Sequence, residues 1–203
     1  MVESSAAGAG DKYRSVAALV QSETRGRDYT VTALARPAST VAIIAPHGGS
    51  IERRTSAIAR AIADQEHNLY LFEGLDPSGS YETLHITSHR FDEPACLELV
   101  ARCDTVVAVH GCSGAHEAVM LGGLDEALIA QLANKLRAVG VSVMTDSHAF
   151  PGRHRQNICN RGRRGRGVQL ELTDGLRGSA LEVHVISTVR EVLQGLRQSH
   201  QVD

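Results

Sequence analysis

Two histidines and two glutamates sit where the sequence can do metal chemistry. His47 closes the apolar run Val41-Ala-Ile-Ile-Ala-Pro-His47 and is followed by Gly-Gly-Ser-Ile-Glu52. His110 closes a second such run, Thr105-Val-Val-Ala-Val-His110, followed by Gly-Cys-Ser-Gly114. Neutral imidazole and carboxylate both ligate Zn²⁺, at roughly 2.0 to 2.2 Å, so His47, Glu52 and His110 form a candidate three-ligand set that leaves a fourth position for water. Each also has an ordinary explanation. The helix dipole favours a carboxylate in a first helical turn, and a histidine at a strand end commonly makes only hydrogen bonds. Glu171, inside Val168-Gln-Leu-Glu-Leu172, is a candidate general base that takes a proton from an activated water and passes it to a leaving amine. The alternative is an outward-facing Glu171 on a half-exposed strand.

Other polar residues qualify as substrate contacts. The stretch from Arg153 to Arg166 holds six arginines in fourteen residues. Such density fits an anionic partner or a solvated loop, since the planar guanidinium binds carboxylates bidentately. Asn157 and Asn160 add donors for a carbonyl or oxyanion. Phosphate binding is the rival use of the same run, but it contains no aromatic residue for base stacking and directly precedes the Glu171 strand, which argues against nucleic acid. In Leu84-His85-Ile-Thr-Ser88, strand alternation puts His85 and Thr87 on one face. There His85 orients a substrate carboxylate, helps proton transfer, or is simply structural. Gly111-Cys112-Ser113-Gly114 fails the G-x-S-x-G nucleophile pattern.

The elements that must position these residues alternate. Strands are expected at 29–34, 41–45, 68–73, 84–89, 105–110, 119–123, 141–145 and 168–172, with helices at 12–24, 51–64, 94–102, 124–138 and 185–197. Gly48 and Gly49 make the turn after the 41–45 strand, and Ser50 is a candidate N-cap for the following helix. The alternation predicts an α/β three-layer fold, a mixed, mostly parallel sheet between helices. Open sheets of this kind place ligands outside the carboxyl ends of their strands, where both His-Gly pairs would lie.

Composition sets the remaining bounds. With 203 residues and 42% hydrophobic content, one domain over 13–203 is expected, preceded by a disordered tail over 1–12 rich in Ala, Gly and Ser. No Trp and few Phe and Tyr imply an aliphatic core. A net charge of −2 speaks against an overall nucleic-acid binder or a strongly membrane-attracted surface. Cys96, Cys103, Cys112 and Cys159 form no C-x-x-C pair and are expected as reduced thiols. No membrane span or signal peptide is apparent, so the sequence predicts a cytoplasmic protein, which cell lysis could release.

Taken together, Ala-Pro-His47-Gly-Gly-Ser-Ile-Glu52, Leu-His-Ile-Thr-Ser88 with Phe91-Asp-Glu-Pro94, Val-His110-Gly-Cys112, Leu-Gly-Gly-Leu124, and Asn157-Ile-Cys-Asn160-Arg161-Gly with Gly167-Val-Gln-Leu-Glu-Leu172 closely resemble the phage-type poly-γ-glutamate hydrolases, over about residues 40 to 175. Members also occur in prophages, some labelled replication proteins. The resemblance implies a zinc-dependent γ-glutamyl hydrolase with a zinc carboxypeptidase-like core. It implies His47, Glu52 and His110 as metal ligands, Glu171 as general base, and Asn160 with Arg161 as holders of substrate carboxylate and carbonyl. A γ-linked polyglutamate is a polyanion, for which an arginine loop is a suitable partner. A small γ-glutamyl or N-acyl amide is an alternative substrate. A nucleic-acid-binding phage accessory protein that uses the arginine loop is the alternative from another class.

Overall fold

The computed structural model describes residues 10–199. Its strands are β1 (Tyr29–Leu34), β2 (Val41–Gly49), β3 (Asn68–Gly74), β4 (Thr105–Cys112), β5 (Ala118–Gly123), β6 (Ser142–Met144) and β7 (Val168–Thr173). They form one seven-stranded sheet in the order β1-β3-β2-β4-β7-β5-β6. β3, β2, β4 and β7 run parallel; β1 lies antiparallel to β3, β5 antiparallel to β7, and β6 parallel to β5. The parallel strands are buried almost throughout. A strand covered on both faces needs no polar alternation, which is why these runs are continuously apolar in sequence.

Six helices complete the layers: α1 (Val16–Leu19), α2 (Thr55–Ala63), α3 (Tyr81–Leu84), α4 (Pro94–Ala101), α5 (Glu126–Ala138) and α6 (Leu181–Ser199). Successive strand residues serve opposite faces. Ile43, Leu71, Val109 and Leu170 pack with Ile58, Leu132, Leu136, Val185 and Val189 from α2, α5 and α6. Ile44, Tyr70 and Ala108 pack with Leu19, Leu99, Val100 and Ile158 on the other face. This is the three-layer, mixed, mostly parallel arrangement expected from the sequence.

Three local expectations change. The 51–64 helix begins only at Thr55, because Arg54 takes a left-handed φ of 73° with no side-chain cap. The residues before it turn back instead, with Glu52 N donating to His47 O (2.9 Å) and Thr55 Oγ1 donating to Glu52 O (2.7 Å). Ser50 caps nothing and pairs with Ser80 (2.7 Å). The expected 84–89 strand is the end of α3, an extended stretch and a 3₁₀ turn over Ser88–Arg90. Leu84 and Ile86 still bury into one cluster, but hydrogen bonds to Asp11 replace strand pairing there. Helix 12–24 shrinks to α1.

Of the expected tail, residues 1–9 lie outside the described residues. Asp11 and Lys12 belong to the folded body, with Lys12 paired to Glu23 at 2.8 Å. All four cysteines are free and buried. Among the described residues no helix is long and apolar enough to cross a membrane.

Candidate metal centre

The carboxyl ends of β2, β4 and β7 place the candidate residues side by side. β2 slips register between Ala45 and Gly48, and such an irregularity re-aims the side chain within it, here His47. Gly48 is tightly enclosed, since a Cβ there would meet Ser56 Oγ at 2.1 Å and the Phe72 carbonyl oxygen at 3.0 Å. Gly49, at φ +64°, lets the chain turn toward Glu52. In the adjoining pair, His110 of β4 stands opposite Glu171 of β7.

His47, Glu52 and His110 are buried and mutually in contact. His47 Nδ1 lies 3.0 Å from Glu52 Oε1 and 3.1 Å from His110 Nδ1, and His110 Nδ1 lies 3.6 Å from Glu52 Oε2. The other His47 nitrogen donates to the Ile86 carbonyl at 2.8 Å. A neutral His47 therefore turns its Nδ1 lone pair toward a carboxylate and a second imidazole. That convergence of acceptors calls for a proton or a metal ion between them, so the donor set fits a divalent metal. Gly111 N–H holds Glu52 Oε2 at 2.8 Å. Burial raises the pKa of Glu52, but His47 and His110 outweigh it and hold the carboxyl below the usual range. Burial likewise opposes a charge on His110, yet Glu171 and Glu52 raise its pKa.

His85 joins this group, closer than the substrate role expected for it. Donor atoms of His47, Glu52 and His85 all lie within 4.8 Å of one another, with His85 Nε2 4.0 Å from Glu52 Oε1. Its ring packs between His47 and Tyr81, at centroid distances of 4.2 and 4.6 Å. Burial and His47 bring its pKa down to about 4, against the pull of Asp11. The ring is thus neutral near neutrality and able to donate a lone pair.

Glu171 and Gln169 are both buried and share a face of β7. Gln169 Nε2 donates to Glu171 Oε1 at 3.0 Å, while Asn157 Nδ2 donates to Gln169 Oε1 at 2.8 Å. Burial pushes the Glu171 pKa up to about 8; His110 and Arg177 pull it down and Glu52 adds to the rise. A carboxyl poised near neutrality is suited to proton transfer. Neighbouring Cys112 is pushed by burial to about 12, so it offers no thiolate nucleophile.

These groups line one cleft of about 850 Å³, walled by Arg53, Arg153 and Arg177, by His89 and His154, and by Tyr81 and Phe150. Asn160 and Arg161, expected to hold substrate, are not among its walls. Asn160 is a buried tie. Its Oδ1 accepts from Leu124 N (3.2 Å) and Gly167 N (3.1 Å), and its Nδ2 donates to Gly152 O (2.8 Å) and His154 O (3.0 Å). Arg161 is exposed, and the arginines after it gather at the amino ends of the strands. Arg163 N donates to Cys103 O at 2.8 Å, Arg163 pairs with Asp104 at 3.1 Å, and Arg164 and Arg166 face Asp125 at 3.8 and 3.6 Å. The arginine loop thus divides. Only Arg153 reaches the cleft wall. Arg53 and Arg177, in turns after β2 and β7, line the cleft that Arg161 does not reach, and neither carries a motif that marks it in sequence.

A family model described as poly-gamma-glutamate hydrolase matches residues 13–192. The SPbeta prophage-derived protein YoqZ of Bacillus subtilis (strain 168) is 38% identical over 135 residues, 66% of this chain and 48% of that protein. YndL of the same strain is 35% identical over 161 residues, 78% of this chain and 63% of that protein. The chain thus spans about half to two thirds of the length of these curated relatives. Among solved structures, a bacteriophage poly-γ-glutamate hydrolase superposes with a TM-score of 0.86 at 26% identity, covering 95% of this chain and all (100%) of that one. A zinc-free YndL structure gives 0.83 at 30% identity, covering 91% and 98%. The N-formylglutamate amidohydrolase of Ralstonia eutropha JMP134 shares the fold, with a TM-score of 0.57 at 13% identity over 85% of this chain and 99% of that one. The strand-end histidines, the cleft between them and the span of these matches agree: the chain belongs to the poly-γ-glutamate hydrolase family.

Proposed function

We propose that the protein is a zinc-dependent hydrolase of γ-glutamyl amide bonds, with poly-γ-glutamate as its substrate. The observation that carries this reading is the convergence of His47 Nδ1, His110 Nδ1 and the Glu52 carboxylate within 3.0–3.6 Å, beside a buried carboxyl with a raised pKa. His47, Glu52 and His110 would hold the zinc, and His85 would complete or replace one position of that set. Bound there, zinc supplies Lewis acidity toward the amide carbonyl and the attacking water.

The chain's own groups do the rest. Glu171 takes the proton of the attacking water and delivers it to the departing amine nitrogen, and the Gln169 amide holds its carboxylate in line. Arg53 and Arg177 set positive charge along the cleft wall, where the free α-carboxylates of a γ-linked chain would lie. The arginines that the nucleic-acid reading depends on, Arg163, Arg164 and Arg166, stand at the other end of the sheet, apart from this site. Glu171→Gln tests the assignment: depolymerisation of poly-γ-glutamate should fall by about 10²–10⁴ while zinc content stays at wild-type level. Unchanged turnover would remove Glu171 from the chemistry.

A further inference from the structure

The amino-terminal segment ahead of α1 reaches the candidate metal centre through one carboxylate. Asp11 has a side chain only 5% exposed, and an aspartate is rarely so buried unless it is paired. Its Oδ1 accepts from His85 Nδ1 at 2.7 Å. Its Oδ2 accepts from Thr87 N at 2.8 Å, from Thr87 Oγ1 at 2.7 Å, and from the Arg90 guanidinium. The clasp is reciprocal, because Asp92 Oδ1 accepts from Val16 N (2.7 Å) and Ala17 N (3.1 Å). Segment 85–92, which has no strand partner, is thereby held at both ends by the first residues of the fold.

The contact to His85 fixes more than position. With Nδ1–H donated to Asp11, a neutral His85 must carry its lone pair at Nε2, the nitrogen 4.0 Å from Glu52 Oε1. A carboxylate on the far nitrogen is the arrangement that orients a metal-ligating imidazole and raises its basicity. We propose that Asp11 is a positioning residue of the metal centre, which sets the tautomer and aim of His85 and so makes the segment before α1 part of the active site. The family match spans residues 13–192, and Asp11 lies just ahead of it. The inference rests on the zinc-hydrolase reading for its catalytic consequence, but not for the tautomer.

The test uses the full chain with Asp11→Asn, His85→Ala and the double substitution. Zinc affinity is measured by chelator competition, His85 tautomer by nitrogen NMR on the metal-free protein, and folding by thermal melting. Asp11→Asn should melt as one cooperative transition, lose the pure Nδ1–H tautomer at His85, and bind zinc about 10–100-fold more weakly. In turnover kcat should fall and KM for the polymer should change little. Added to His85→Ala, Asp11→Asn should weaken zinc binding no further, since the two act through one contact. Wild-type tautomer and zinc affinity in Asp11→Asn would overturn the proposal, as would full additivity of the two losses. Should the wild type bind no zinc, the reading beneath fails, and an unaltered tautomer in Asp11→Asn would still refute the positioning role by itself.

Discussion

The two ends of the central sheet carry different kinds of charge. At the carboxyl ends of β2, β4 and β7, His47, Glu52, His110 and Glu171 are buried and face one another. At the amino ends Arg163, Arg164 and Arg166 are exposed and paired with Asp104 and Asp125. Burial gives the first set its perturbed proton affinities and a reason to hold a metal ion. Solvent leaves the second with pairs worth about 0–1 kcal/mol each. Residues immediately ahead of a parallel strand stand at its amino end. Five residues at roughly 3.3 Å each set Arg166 about 17 Å from Glu171. The densest run of arginines thus lies mostly away from the candidate metal centre, with Arg153 alone on the cleft wall.

The largest expected effect that sharpens this contrast lies at the carboxyl end. Glu52→Ala should abolish both zinc retention and hydrolysis, a loss of at least about 10³-fold in kcat/KM, checked by metal analysis and polymer chain length. Wild-type turnover in that variant would place the reaction elsewhere.

A pH effect comes next. The Glu171 carboxyl has a folded pKa of about 8 against an ordinary 4.5, so between these values the folded protein binds more protons than the unfolded chain. Stability of the metal-free protein should therefore be highest below about pH 4.5 as far as this group is concerned, and should fall as pH rises toward 8. Glu171→Gln should flatten that part of the melting-temperature profile. An identical slope in both proteins would contradict the burial-raised pKa.

Loss of one cleft arginine should be milder. Arg53→Gln should raise KM for poly-γ-glutamate by about tenfold and leave kcat near wild type, as expected for one charge-assisted contact to the substrate. The smallest effect belongs to the amino end: joint Arg163→Gln, Arg164→Gln and Arg166→Gln should leave hydrolysis within about twofold and cost only surface-pair stability. A severe activity loss in that variant would dissolve the distinction between the two ends.

Much of the fold was legible because buried parallel strands are apolar at every position, and their carboxyl ends were marked by His47-Gly and His110-Gly. That pattern led to the sheet, the crevice and three adjoining polar groups. Glu171 stood out for the same reason, as a carboxylate in an apolar strand, and its burial with Gln169 resolves which way that strand face points.

What was illegible depended on contacts distant in sequence. Alternation in Leu84-His85-Ile86 imitates a strand, yet Asp11, about seventy positions earlier, supplies the hydrogen bonds a neighbouring strand would have given. Composition alone assigned Asp11 to a tail. Glu52 was expected in a helix, whereas the left-handed Arg54 delays that helix and folds the carboxylate back over His47. Arg177 owes its place to the Arg53 and Cys112 carbonyls, which accept from it at 2.7 and 3.1 Å, and no local pattern announces such a tie.

The most direct test of the central claim is zinc stoichiometry of the reconstituted protein, wild type beside His110→Ala, with poly-γ-glutamate chain length followed in the same samples. The account predicts about one zinc per chain and shortening polymer in the wild type, both lost in the variant. Depolymerisation by wild-type protein stripped of zinc, or undiminished by His110→Ala, would contradict it.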